Sequence, residues 1–125
     1  MAQKSNHNQK IGKWGEQAAI DYLIKKGYTI KERNVYTPYG EIDIVAEQDF
    51  VIVFVEVKTR RSSAFGHPLE AISIEKAARL QRLALAWLAT HQRLGNEYRI
   101  DAIAYIYLVE VFHSETSAHS NNTLR

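Results

Sequence analysis

Six consecutive apolar residues, Phe50-Val51-Ile52-Val53-Phe54-Val55, run directly into Glu56-Val57-Lys58. No other segment constrains the fold as tightly. A stretch that is apolar at every position and rich in β-branched residues is the pattern of a central strand covered on both faces. Such a strand needs a sheet around it and further layers above and below. The chain has 125 residues, enough for one domain with a substantial core.

The flanking segments supply those layers. Residues 1–10 are polar and read as a flexible arm. From Ile11 the apolar positions Ile11, Trp14, Ala18, Ala19, Tyr22 and Leu23 recur at helical spacing. Lys25, Lys26 and Gly27 form a helix stop, so the first helix is predicted over 11–26. Tyr28 to Asn34 reads as a strand, Pro38 and Gly40 mark a turn, and residues 40–46 alternate as a second strand. A turn at 47–49 leads into the central strand. Residues 60–72 read as a long loop. Ser73 is a suitable N-cap for a helix over 74–91, with the stripe Ala77, Leu80, Ala84, Trp87 and Leu88. Gly95 and Asn96 break the chain before a strand from Arg99 to Tyr107, with Val109 to Phe112 as its continuation. The Ser/Asn/Thr-rich tail from His113 reads as disordered. Short turns make the first three strands an antiparallel meander. The strand after the second helix is predicted to lie parallel to the central one. The expected architecture is α/β, a mixed sheet with helices packed on it, in a single domain over 11–112.

Composition excludes several chemistries. With no cysteine, the chain has no disulfide, no thiolate zinc site and no thiol nucleophile. The polar N-terminus lacks the apolar core of a secretory signal, and no apolar run is long enough to span a bilayer, so a cytoplasmic protein is expected. A net charge of +2 says little about a polyanionic partner.

Glu56 and Lys58 lie two apart, on the sheet face shared with Ile52 and Phe54. That carries charge toward the core, where it is costly unless compensated. Asp43 has the same character, between Ile42 and Ile44 on the neighbouring strand. The intervening turn brings Asp43 across from the region of Glu56. Two adjacent carboxylates repel, and a divalent cation resolves the conflict. Carboxylate oxygens suit Mg²⁺ or Mn²⁺. A metal held by Asp43 and Glu56, with the Val57 carbonyl as a further ligand, would polarise a phosphodiester and acidify water. Lys58 would then orient the water or balance charge developing on the phosphate. Glu41 shares a face with Asp43. It supports these ligands from behind, serves as an occasional ligand, or is a solvated carboxylate at a strand start. For Glu56 and Lys58 the competing account is a structural ion pair.

Asp43 followed by Glu56-Val57-Lys58 resembles the D…ExK signature of the PD-(D/E)XK nuclease superfamily. Glu16, in Gly15-Glu16-Gln17-Ala18-Ala19, is similar to the helical glutamate of archaeal Holliday-junction resolvases. The stretch from 11 to 107 resembles the bacterial YraN family. The matching residues are Gly12-x-x-Gly15-Glu16, Gly40-Glu41-Ile42-Asp43 and Val55-Glu56-Val57-Lys58-Thr59-Arg60. The resemblance implies a restriction-endonuclease-like fold and a metal-dependent endonuclease but supplies no substrate; branched or damaged DNA is the expectation here, with a homodimer as the working form. It implies Asp43 and Glu56 as metal ligands, Lys58 as the catalytic lysine and Glu16 as an auxiliary carboxylate. One departure is that Ile42 stands where the superfamily often has proline.

Arg60 and Arg61 follow the central strand, and Lys76, Arg79 and Arg82 recur three apart on the second helix. They form either a nucleic-acid-binding rim beside the site or a solvated helix face. Of the five histidines only His67 lies in the long loop that could cover the site, and plain exposure is its first reading. Two rivals to an enzyme are a non-catalytic nucleic-acid-binding module on the same fold and an adaptor acting through its tails. Two carboxylates kept where phosphates would bind favour the enzyme.

Overall fold

The computed structural model describes residues 2–60, 73–107 and 117–124. The order is α1 (Ala2–Lys25), β1 (Thr29–Thr37), β2 (Gly40–Gln48), β3 (Val51–Arg60), α2 (Ile74–Thr90), β4 (Tyr98–Tyr107) and β5 (Ser117–Leu124). The sheet runs β1-β2-β3-β4-β5. β1, β2 and β3 form the antiparallel meander, and β4 lies parallel to β3 through the α2 crossover.

Both faces of β3 are covered, as its composition requires. Ile52 and Phe54 pack with Leu80, Leu83, Ala84, Trp87 and Leu88 of α2. Val53 and Val55 pack with Ala19, Ile20 and Leu23 of α1 and with Ile103 of β4. Each fully buried aliphatic side chain contributes roughly 1.5–3 kcal/mol, so this three-layer core is the main source of stability. The Ser73 hydroxyl accepts from the Lys76 amide at 3.1 Å and starts α2 where the sequence predicts. α1 stops at Gly27, whose φ of +91° suits glycine, and the Tyr28 amide reaches back to the Leu23 carbonyl at 3.0 Å.

Four boundaries differ from the sequence expectation. α1 begins at Ala2, so the residues read as an arm extend the helix. Nothing between Ala2 and Ile11 is glycine or proline, and a helical stretch without apolar periodicity leaves no signal in the sequence. β1 continues to Thr37. The hairpin turn is Asp49-Phe50, both at positive φ, between the paired Gln48 and Val51. Phe50 therefore belongs to a two-residue turn rather than to the strand. At the far end, Ser117–Leu124 pairs antiparallel with β4 where a disordered tail was expected. An edge strand satisfies its backbone along one side only and needs no apolar alternation, so its composition conceals it. The loop at 61–72 and the continuation at Val109–Phe112 lie outside the described residues.

Candidate metal centre

The last β2–β3 pair toward this end of the sheet is Ile44↔Val55. Beyond it the strands part: β2 stays with β1, and β3 continues beside β4 to Arg60. Asp43 and Glu56 are the first residues past the fork, one on each arm. Inside the fork the Val57 amide has lost its strand partner and donates instead to Asp43 Oδ2 at 2.7 Å. Asp43 thus stands in for a missing ladder bond with one carboxylate oxygen.

A backbone irregularity aims the Asp43 carboxylate. Asn34 has a φ of +53° and lies between the pairs Arg33↔Ile44 and Val35↔Ile42, opposite Asp43. Across this point the ribbon rolls: Ile44 packs on the α1 side and Ile42 on the α2 side. Two positions of equal parity therefore face opposite layers, with Asp43 at the crossover. Asparagine tolerates the left-handed region better than most residues, and the Asn34 side chain also hydrogen-bonds Glu16.

Glu16 arrives from α1 through a close helix–strand approach. A Cβ on Gly15 would lie 2.1 Å from Thr59 Cγ2 and 3.6 Å from Val57 Cγ1, so only glycine lets the helix sit this low on β3. Glu16, Glu41 and Asp43 can each place one carboxylate oxygen within 4.8 Å of the others. A cleft of about 390 Å³ adjoins them, lined by Gly12, Lys13, Glu16, Asn34, Tyr36 and Glu41.

The electrostatics match this crowding. Burial, then repulsion by Glu56, and to a lesser degree by Glu16 and Glu41, push the Asp43 carboxyl up from 3.8 to about 7 against the Val57 hydrogen bond. Burial and Glu41 likewise raise Glu16, opposed by Arg33, Asn34 and Lys13. Burial and the neighbouring carboxylates together disfavour a further negative charge here, and a bound cation would relieve that. Hard oxygen donors of this kind fit Mg²⁺ or Mn²⁺.

Glu56 does not join the three clustered oxygens. It shares the α2-facing side of β3 with Ile52, Phe54 and Lys58, as spacing predicts, and its Oε1 lies 2.9 Å from Lys76 Nζ in the first turn of α2. Lys58 is 4% exposed, a charged group carried to a core position. Burial works against the Lys76 ammonium, yet its bond to Glu56, a further bond to Lys58 and the charge of Glu56 outweigh it and the pKa rises. Arg79 and Arg82 are exposed. Arg60 ends β3, whereas Arg61 and His67 lie outside the described residues.

Sequence reasoning missed Asn34, Lys13 and Tyr36. Only Asn34 left a signal, a turn-favouring residue inside a strand-like run. It also gave no role to His91, which stacks on Trp87 at 3.9 Å and contacts Glu32 Oε1 at 2.9 Å. Glu32 also accepts from Trp87 Nε1 at 2.9 Å, tying α2 to β1 at some remove from the carboxylates.

Helices on both faces of a mixed sheet that forks beside gathered carboxylates define a restriction-endonuclease-like α/β domain. The comparisons with known proteins narrow this class. The profile of "Uncharacterised protein family UPF0102", the YraN family, matches residues 15–112, and the chain belongs to that family. A UPF0102 protein of Syntrophomonas wolfei is 48% identical over 99 residues, covering 79% of this chain and 86% of the relative. One from Beutenbergia cavernae is 50% identical over 96 residues, 77% of this chain and 81% of its own. A third, from Dictyoglomus thermophilum, is 40% identical over 100 residues, with coverage of 80% and 85%. Among the described residues, no helix is long and apolar enough to cross a membrane.

Proposed function

We propose that the protein is a Mg²⁺- or Mn²⁺-dependent nuclease that hydrolyses nucleic-acid phosphodiesters. The observation that carries this reading is the gathering of Glu16, Glu41 and Asp43 at the sheet fork, where burial and then the charge of Glu56 push the Asp43 carboxyl up to about 7. Asp43 and Glu56 would hold the metal, with the Val57 carbonyl and the Glu16 and Glu41 carboxylates as further donors. A divalent ion bound there supplies Lewis acidity to a phosphodiester oxygen and lowers the pKa of water.

The chain's own groups account for the rest. Lys58, sheltered from solvent, balances negative charge developing on the phosphate, where a fixed ammonium is worth more than in water. Asp43 keeps its orientation through the Val57 amide. Arg60, Arg61, Lys76 and Arg79 bind backbone phosphates, so affinity falls with salt. DNA is the favoured substrate, branched or damaged duplexes included, with a homodimer placing one site on each strand. The same reading makes the protein cytoplasmic.

The test is isothermal titration of Mn²⁺ into the wild type, Asp43→Asn and Glu56→Ala, followed by incubation with a panel of DNA and RNA substrates. Mn²⁺ binding and cleavage should be lost together in Asp43→Asn, Glu56→Ala should lose cleavage, and Lys58→Met should lower the cleavage rate about 10²–10³-fold. Nucleic-acid binding that persists without metal affinity or cleavage would replace the nuclease by a binding module.

A further inference from the structure

Lys76 occupies a place that helix energetics do not favour. It lies in the first turn of α2, three residues after the Ser73 cap, where the helix dipole disfavours a cation. Arg79, one turn on, adds repulsion. The compensation comes from across the interface, where Lys76 Nζ meets Glu56 Oε1 at 2.9 Å. Their side chains are only 24% and 14% exposed, so the pair is sheltered and worth more than a surface ion pair. Glu56 lies outside the cluster of Glu16, Glu41 and Asp43, although Asp43 feels its charge.

From this geometry, and resting on the metal-site reading above, we propose that Lys76 is a latch that couples metal loading to nucleic-acid binding. Without nucleic acid, Lys76 satisfies Glu56 and withholds it from the metal. An incoming phosphate offers Lys76 a new anionic partner. Glu56 is then released toward Asp43, where it would add a carboxylate to the donors of a bound divalent ion. Metal and polyanion each tighten the other, as linkage requires. The consequence is a site that is fully assembled only when substrate phosphate is present. Lys76 is thus a positioning residue, acting through Glu56.

The experiment is Mn²⁺ titration of the full chain in four forms: wild type, Lys76→Met, Glu56→Gln and the double variant. Methionine keeps the aliphatic length and leaves the backbone amide that Ser73 caps. Lys76→Met should bind Mn²⁺ about tenfold more tightly than wild type, the scale of one nearby unit charge. In the Glu56→Gln background that gain should largely vanish, because there is no carboxylate left to release. Lys76→Arg should behave as wild type, which separates loss of charge from loss of fold. A short oligothymidylate should tighten Mn²⁺ binding to wild type and leave Lys76→Met nearly unchanged. An equal gain in both Glu56 backgrounds would overturn the latch, leaving simple charge repulsion. So would unchanged affinity in Lys76→Met. Asp43→Asn serves as the separate control: if it binds Mn²⁺ like wild type, the metal site itself is wrong, whatever Lys76 does.

Discussion

Asparagine in place of Asp43 should make the metal-free protein more stable. The native carboxyl titrates at about 7 and an ordinary one at 3.8. Between those values the folded chain keeps a proton that the unfolded chain has released. The stability this provides is therefore complete below about pH 4 and lost as the pH rises through about 7. Three units at about 1.4 kcal/mol each come to about 4 kcal/mol at pH 8. Water reaching the partly exposed carboxylate reduces that, so a recovery of about 2–4 kcal/mol is expected on substitution. Asparagine is the apt replacement because its carbonyl oxygen can still accept from the Val57 amide. Urea unfolding in the presence of a chelator, at pH 5 and pH 8, measures the effect. The wild type should weaken steeply between the two, and Asp43→Asn should lose far less. Added Mn²⁺ should restore the wild type at pH 8 and leave the variant unmoved. A variant no more stable than wild type at pH 8 would refute the claim that crowded, buried carboxylates strain the site.

Three other substitutions test the scaffold. Gly15→Ala forces a Cβ to within 2.1 Å of the Thr59 methyl, and the overpacking, about 1–3 kcal/mol, should exceed the gain of about 1 kcal/mol in helix propensity. Thr59→Ser, which removes that methyl, should rescue it, whereas a stabilised single variant in thermal unfolding would contradict the close approach. Phe50→Gly should stabilise by about 0.5–1 kcal/mol, since an 84% exposed aromatic at a φ of +67° gives up little contact and glycine suits the turn. An unchanged or lower denaturation midpoint would count against that conformation. Glu32→Ala should cost about 1–3 kcal/mol by leaving the Trp87 indole and His91 without their shared acceptor, and a neutral result in urea would mean that water replaces it freely.

Much of the candidate site could be read in advance because strand parity is local. The spacing of Ile52, Phe54, Glu56 and Lys58 already places all four on one face, and the packing of Ile52 and Phe54 on α2 follows. Gly15-Glu16 could be quoted as a motif, but its reason is the Thr59 methyl, 44 residues away in sequence. For Glu41 parity leaves a supporting group, an occasional ligand and a solvated carboxylate all open, and its place beside Glu16 and Asp43 depends on the roll at Asn34. Parity reasoning assumes a regular ribbon, and a single left-handed residue breaks that assumption.

Periodicity and turn chemistry alone determine the two helices, the meander, the parallel return strand and the charged end of β3. These are short-range consequences of side-chain spacing and backbone preference. Tertiary structure decided where β2 and β3 part, which carboxylates meet there, and that Glu56 is paired with Lys76. It also decided that polar residues at both ends of the chain join α1 and the edge of the sheet. These outcomes depend on contacts between distant segments and on backbone hydrogen bonding, which local residue patterns do not encode.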